Sequence, residues 1–247
     1  MRRTALAALL AAGTALSACA YNETLGRNQF LLVNDSALIQ QADAAWAEAL
    51  RTQRTSSDAA ANARVRRVGE RIVQAAGLTD RRWDYAVFVS DSPNAFVLPS
   101  GKIGVTTGLL SLVRNDDQLA AVLGHEVGHV VAQHAAERYS QTAATSAGLG
   151  ILQGAAGDYA QAAGAIGGLG AQLGVLLPFS RRHELEADRL GVDYLQRAGY
   201  RPSEAVALWR LMAQQRQGSN PEFASTHPSD ASRIAALEQY IQSQGWA

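Results

Sequence analysis

One cysteine, Cys19, in 247 residues leaves no partner for an internal disulfide. Lysine is equally scarce: Lys102 is the only one, and arginine supplies the rest of the positive charge. Basic and acidic side chains balance at 22 each, so the chain lacks the positive excess that binds nucleic acid. Charged residues make up 18% of the chain, below the usual quarter, and 47% is hydrophobic, enough to bury one large core or two small ones. Long apolar runs are missing too. "TALAALLAAGTAL" near the N-terminus is too short to span a bilayer. The uncharged stretch 159–177 carries five glycines and two glutamines, a poor composition for a membrane helix. There are five histidines, and three of them fall between residues 125 and 134.

The N-terminus reads as a targeting segment. Arg2 and Arg3 precede the short apolar run, which ends in "LSAC", Leu16 to Cys19. This arrangement resembles a bacterial lipobox, which implies cleavage before Cys19 and lipid on its thiol and new amino group. Ala20 in the following position favours the outer over the inner membrane. The expected organisation is a signal peptide over 1–18, a lipidated tether over 19–34 and a single domain over 35–247.

Within that domain "DSALIQQADAAWAEALRTQ" and "SSDAAANARVRRVGERIVQAAG" read as helices, the second with Val65, Val68, Ile72 and Val73 on one stripe. "RRWDYAVFVS" (81–90) reads as a strand, and "NAFVLPSGKIGVTTGLL" (94–110) as two short strands around a Pro99-Ser100-Gly101 turn. These are the only strongly β-like segments, and helical patterns flank them. The pattern predicts an α+β fold, mainly helical with a small antiparallel sheet. Asn115 and Gln118 predict a capping box for the next helix. From Tyr139 to Ser180 the only charge is Asp158, and a Gly/Ala-rich flap is expected over about 140–178.

The chemistry lies in "AVLGHEVGHVVAQH". His125 and His129 are four apart, so on a helix both rings share a face and can reach one metal ion. Glu126 stands about 100° round, off the metal yet within reach of a water bound to it. A fold gains little by burying such a carboxylate without a use for it. A catalytic zinc needs three protein ligands and an open position, so a third must come from elsewhere. "HELEAD" (183–188) offers Glu184 and Asp188 on one face; spacing leaves open which binds the metal and which orients a histidine ligand. On the same wheel Glu186 points about 200° from Glu184, towards solvent, and His134 falls about 140° off the ligand face.

"LGHEVGHV" followed by "SRRHELEAD" resembles the HtpX-like family of zinc metallopeptidases, gluzincins related to the CAAX prenyl endopeptidases. "NAFVLPSGKIGVTTGLL" and "STHPSDASRI" (225–234) resemble family segments before and after the zinc helix, so the likeness runs over about 60–240. The resemblance implies one Zn2+ per chain held by His125, His129 and Glu184, with Asp188 behind a histidine ligand. It implies peptide hydrolysis with Glu126 as general base on the metal-activated water. It places Asn94, Ala95 and Phe96 on an edge strand that pairs with substrate. It puts His227 near the zinc, either as a fourth ligand of a latent state or as an oxyanion donor. With the lipobox, it points to a lipid-anchored, periplasmic enzyme acting on unfolded or misassembled envelope proteins, with outer-membrane assembly machinery as a further partner and no nucleic acid. The rival expectation is a zinc-containing chaperone or assembly factor for outer-membrane proteins with low or latent proteolysis.

Overall fold

Sixteen consecutive residues, Asp116–Val131, form the helix on which everything else is built, and its stretch from Gln118 to His129 is buried all round. Such a helix belongs in the middle of a core. The computed structural model describes residues 19–33, 35–153, 179–215, 223, 227 and 231–246. The segments 1–18 and 154–178, with the expected signal peptide and most of the expected flap, lie outside the described residues.

In chain order the elements are β1 (Cys19–Asn22), β2 (Arg27–Phe30), α1 (Asp35–Thr52), α2 (Ala59–Ala75), β3 (Asp84–Phe88), β4 (Ala95–Leu98), β5 (Lys102–Thr106), α3 (Thr107–Leu112), α4 (Asp116–Val131), α5 (His134–Gln153), α6 (Arg181–Arg197), α7 (Ser203–Gln215) and α8 (Ala231–Ser243). This is the α+β, mainly helical architecture expected from the sequence. Asp58 starts α2 by accepting from the amides of Ala60 (2.8 Å) and Ala61 (3.1 Å). The stripe Val65, Val68, Ile72 and Val73 is buried against α4 and the sheet, in the same cluster as Val105, Leu119 and Leu123. At α4 the Asn115 side-chain oxygen Oδ1 accepts from the Gln118 backbone amide (2.8 Å). The Gln118 side chain returns to Arg114 N–H (2.9 Å), one residue before the cap.

Two expectations are corrected. The main sheet is mixed, in the order β3-β5-β4: β4 and β5 are the antiparallel pair across the Pro99–Gly101 turn, but β3 and β5 run parallel. The second strand of that pair also stops at Thr106, whose hydroxyl caps α3 by accepting from Leu109 N (3.2 Å). Residues 19–30, expected to be a tether, form the antiparallel hairpin β1-β2. Asn22 closes its turn, accepting from Leu25 N (3.1 Å) and donating to Gln29 (2.8 Å). Buried Gln29 then donates to the Ala132 carbonyl and to Glu137, both at 2.7 Å, which docks the hairpin on the corner between α4 and α5.

Helices α4 and α6 cross with almost no side chain between them. A Cβ on Gly191 would stand 2.8 Å from the His125 nitrogen and 3.0 Å from the Gly124 carbonyl carbon, and one on Gly128 would stand 2.9 Å from the Ala187 oxygen. These are backbone atoms that cannot step aside. Gly191→Ala is therefore expected to push α6 off α4 and to cost about 1–3 kcal/mol by overpacking. Thermal unfolding should show the loss as a drop of several degrees, and an unchanged melting temperature would mean that the crossing is looser than described.

Candidate metal centre

The close crossing brings the first two turns of α6 opposite the middle of α4. His125 Nε2 and His129 Nε2 face each other at 3.1 Å. Glu184 comes in from α6, its Oε1 3.3 Å from His129 Nε2 and its Oε2 3.5 Å from His125 Nε2. His227 is the fourth member, with Nδ1 3.2 Å from His125 Nε2 and 3.1 Å from Glu184 Oε1. One donor atom from each of these four buried residues lies within 4.8 Å of every other. Donors about 2.0–2.1 Å from a tetrahedral zinc stand roughly 3.3 Å apart, so the spacing suits that ion.

Proton placement supports the same conclusion. His125 Nδ1 lies 3.0 Å from Asp188 Oδ1, and a buried carboxylate only accepts, so that nitrogen carries the proton and Nε2 keeps its lone pair. His129 Nδ1 lies 2.9 Å from His134 Nδ1. If His129 donates there, its Nε2 is also a lone pair. Two lone pairs facing each other at 3.1 Å call for a cation between them.

The electrostatics keep the carboxylates ionised. Burial opposes the charge on Glu184, but the charges of His227 and Arg233 outweigh it and hold the carboxyl well below its usual range. Asp188 is likewise opposed by burial and held low by Arg233. Burial keeps His129 well below the ordinary histidine range, which leaves it neutral and able to bind metal. Glu126 goes the other way: burial raises its carboxyl, although nearby histidines and the Val97 amide partly offset this. Its Oε1 is 3.2 Å from His227 Nε2.

Glu126, His129 and His227 line a cleft of about 1000 Å³. Asn94, Ala95 and Phe96 line the same cleft, together with Val97 and Phe179. Strand β4 is the edge of its sheet. The Asn94 oxygen accepts from Thr106 N (2.9 Å), so by alternation the backbone groups of Asn94 and Phe96 face β5 while those of Ala95 and Val97 face the open edge. Cys19 opens β1 opposite Phe30, at the far end of the hairpin from its turn.

Several residues escaped the sequence. Arg233 on α8 is the most important: its Nε and NH2 hold both Asp188 oxygens (2.5 and 2.8 Å), its NH1 meets Glu184 Oε2 (2.5 Å), and it stacks 4.2 Å from the Trp209 ring. Nothing in "DASRI" sets this arginine apart from the surface ones. His134 is not in the metal group yet touches it, because Gln133 (φ 53) breaks the helix and turns the chain so that the His134 ring comes back onto His129. Glu186 is not solvated as the wheel predicts. It bonds His134 Nε2 at 2.9 Å and is forked by Arg27 from the hairpin (2.7 and 2.8 Å). Phe179 stacks on the His129 ring at 3.9 Å, and the Arg138 guanidinium lies 3.7 Å from the centre of the Phe179 ring.

A comparison with known families then decides the lineage. Residues 59–241 match Peptidase family M48, a span that holds the whole of the centre just described.

The chain belongs to peptidase family M48.

This is a zinc metallopeptidase family, and the His125, His129, Glu184 and His227 group fits its single zinc ion. The mitochondrial metalloendopeptidase OMA1 of Schizosaccharomyces pombe is 40% identical over 72% of this chain and 52% of its own length. OMA1 of Saccharomyces cerevisiae is 36% identical over 65% of this chain and 47% of its own. The beta-barrel assembly-enhancing protease of Escherichia coli is 30% identical over 68% of this chain and 36% of its own. The chain thus spans about half or less of the length of these curated relatives. None of the three is an HtpX or a CAAX prenyl endopeptidase, so the family membership stands at the level of M48.

Proposed function

We propose that this protein is a zinc-dependent endopeptidase of the cell envelope that hydrolyses peptide bonds in unfolded or misassembled envelope proteins. His125, His129 and Glu184 are its zinc ligands and Glu126 its general base. The observation that carries this reading is the convergence of two imidazole lone pairs and a carboxylate on one point, with a second buried carboxylate, Glu126, facing the cleft beside it.

His125, His129 and Glu184 would hold a zinc ion, which would supply a Lewis acid for the scissile carbonyl and a lowered pKa for the attacking water. Glu126 takes that water's proton and returns it to the leaving amine, and its burial-raised carboxyl suits both halves of the transfer. Asp188 fixes the His125 tautomer, and Arg233 keeps Asp188 ionised. Substrate adds as a strand beside β4 and pairs with the backbone of Ala95 and Val97. Only an extended chain can do this, which favours unfolded clients. The apolar cleft wall, including Phe96 and Leu98, then receives side chains.

His227 supplies a fourth donor and closes the site, so the resting enzyme is latent. Replacing it with alanine is expected to raise basal casein cleavage. A fall instead would assign His227 to stabilising the oxyanion. The same closure favours a second reading, a zinc-containing chaperone or assembly factor for outer-membrane proteins, and the name of the Escherichia coli relative joins the two roles. Incubation of the purified chain with an unfolded outer-membrane protein separates them. An enzyme yields fragments that disappear with a chelator, and a chaperone keeps the client soluble and intact.

Acylation at Cys19 would anchor the enzyme on the periplasmic face, with Ala20 favouring the outer membrane. Among the described residues no helix is long and apolar enough to cross a membrane. Mass spectrometry of the mature N-terminus tests the anchor, and an unmodified Cys19 would reject it.

A further inference from the structure

We propose that Arg27, on the N-terminal hairpin, is a positioning residue that sets the tautomer of the metal-binding ring of His129 through Glu186 and His134. The inference rests on the zinc reading above. Arg27 forks Glu186 with Nε on Oε1 (2.7 Å) and NH2 on Oε2 (2.8 Å). Glu186 Oε2 stands 2.9 Å from His134 Nε2, and His134 Nδ1 stands 2.9 Å from His129 Nδ1. The opposite nitrogen of His129 faces His125 and Glu184.

With His134 neutral, only one arrangement of protons satisfies this chain. Guanidinium has donors and no acceptor, so both Glu186 oxygens accept from it. A carboxylate also accepts from His134, which places a proton on His134 Nε2 and leaves Nδ1 as a lone pair. His129 must then donate from Nδ1, and its Nε2 is left bare towards the metal. With both rings neutral, reversing any link would put two lone pairs or two N–H groups face to face in a buried place. His134 is wholly buried, and His183 stacks on it at 4.3 Å with 22° between the rings, so it has little freedom to turn away.

The hairpin is held to this task from a second side. Arg27 also meets both Glu137 oxygens at 2.8 Å, and Gln29 donates to Glu137 and to the Ala132 carbonyl. These contacts fix the corner at Ala132 and Gln133 that aims the His134 ring. The hairpin therefore reads as a brace on one zinc ligand and not as a spacer.

Partners behind a metal-binding histidine are typically worth 10–100-fold in metal affinity. The test is a double-mutant cycle on the full chain: wild type, Arg27→Ala, His134→Ala and the pair. Zinc dissociation constants would be read by competition with a chromophoric chelator. Ring 15N shifts of His129 in the zinc-free protein would report the tautomer. Each single change is expected to weaken zinc about 10–100-fold and to mix the His129 tautomers. The pair should be no weaker than His134→Ala alone, because Arg27 acts through His134. Arg27→Lys, which keeps the charge but not the fork, should fall between wild type and Arg27→Ala. If Arg27→Ala does not fold, Glu186→Gln, which removes the anion at constant shape, takes its place in the cycle. Unchanged affinity and tautomer in the single variants, or effects that simply add in the pair, would overturn the proposal. A wild type that binds no zinc would instead overturn the zinc reading beneath it.

Discussion

Glu126→Gln is expected to keep one zinc per chain and to lose casein cleavage by about 10²–10⁴-fold, the usual worth of a general base. Glutamine has the same shape but cannot take a proton from water. Glu126 is outside the group that could hold the metal, so metal content should match wild type, and the variant should remain folded. Stability should even hold or rise slightly, because Glu126 is a buried carboxylate whose charge burial disfavours. The pairing of full metal content with lost activity is what distinguishes a base from a ligand. Cleavage at the wild-type rate would reject the enzyme reading, and loss of zinc would move Glu126 into the ligand set.

The second large effect is expected at Arg233. This arginine is 2% exposed and bonds two buried carboxylates at once. Arg233→Met fills the same space against Trp209 but leaves Asp188 and Glu184 without their cation. Breaking a buried pair in this way costs about 3–5 kcal/mol. In a chain of this size that lowers the melting temperature by roughly 10 °C, read by circular dichroism on the zinc-free protein. Arg233→Lys should recover part of the loss, since an ammonium can meet one carboxylate but not fork both. Zinc affinity should fall as well, because Asp188 would then be free to protonate and release the His125 tautomer. A methionine variant as stable as wild type would show that the buried charges tolerate each other without the arginine.

The centre was legible where one helix carries the information. His125 and His129, and Glu184 and Asp188, are pairs four residues apart, and the helical repeat alone aligns them. The same wheel kept His134 out of the metal group but missed its contact with His129, because it assumes an unbroken helix. The left-handed turn at Gln133 has none of the glycine or asparagine that would announce it. It failed at Glu186 for another reason. A residue is solvated only if nothing covers it, and the hairpin that covers this one lies 159 positions earlier in the chain. That hairpin itself has a short, weakly patterned sequence, and its order comes from Asn22 closing its turn and from Arg27 and Gln29 meeting Ala132 after α4, Glu137 on α5 and Glu186 on α6. Arg233 and the parallel pairing of β3 with β5 are likewise products of the tertiary fold, invisible to any local pattern. The α+β class, the Asn115 cap of α4 and the stripe on α2 are local, and the sequence anticipates all of them.

Diffraction data collected at the zinc absorption edge would test the central claim most directly. A single strong anomalous peak per chain is expected, within bonding distance of His125 Nε2, His129 Nε2 and a Glu184 carboxylate oxygen. No peak in zinc-loaded crystals, or a peak held by side chains other than these three and His227, would contradict it.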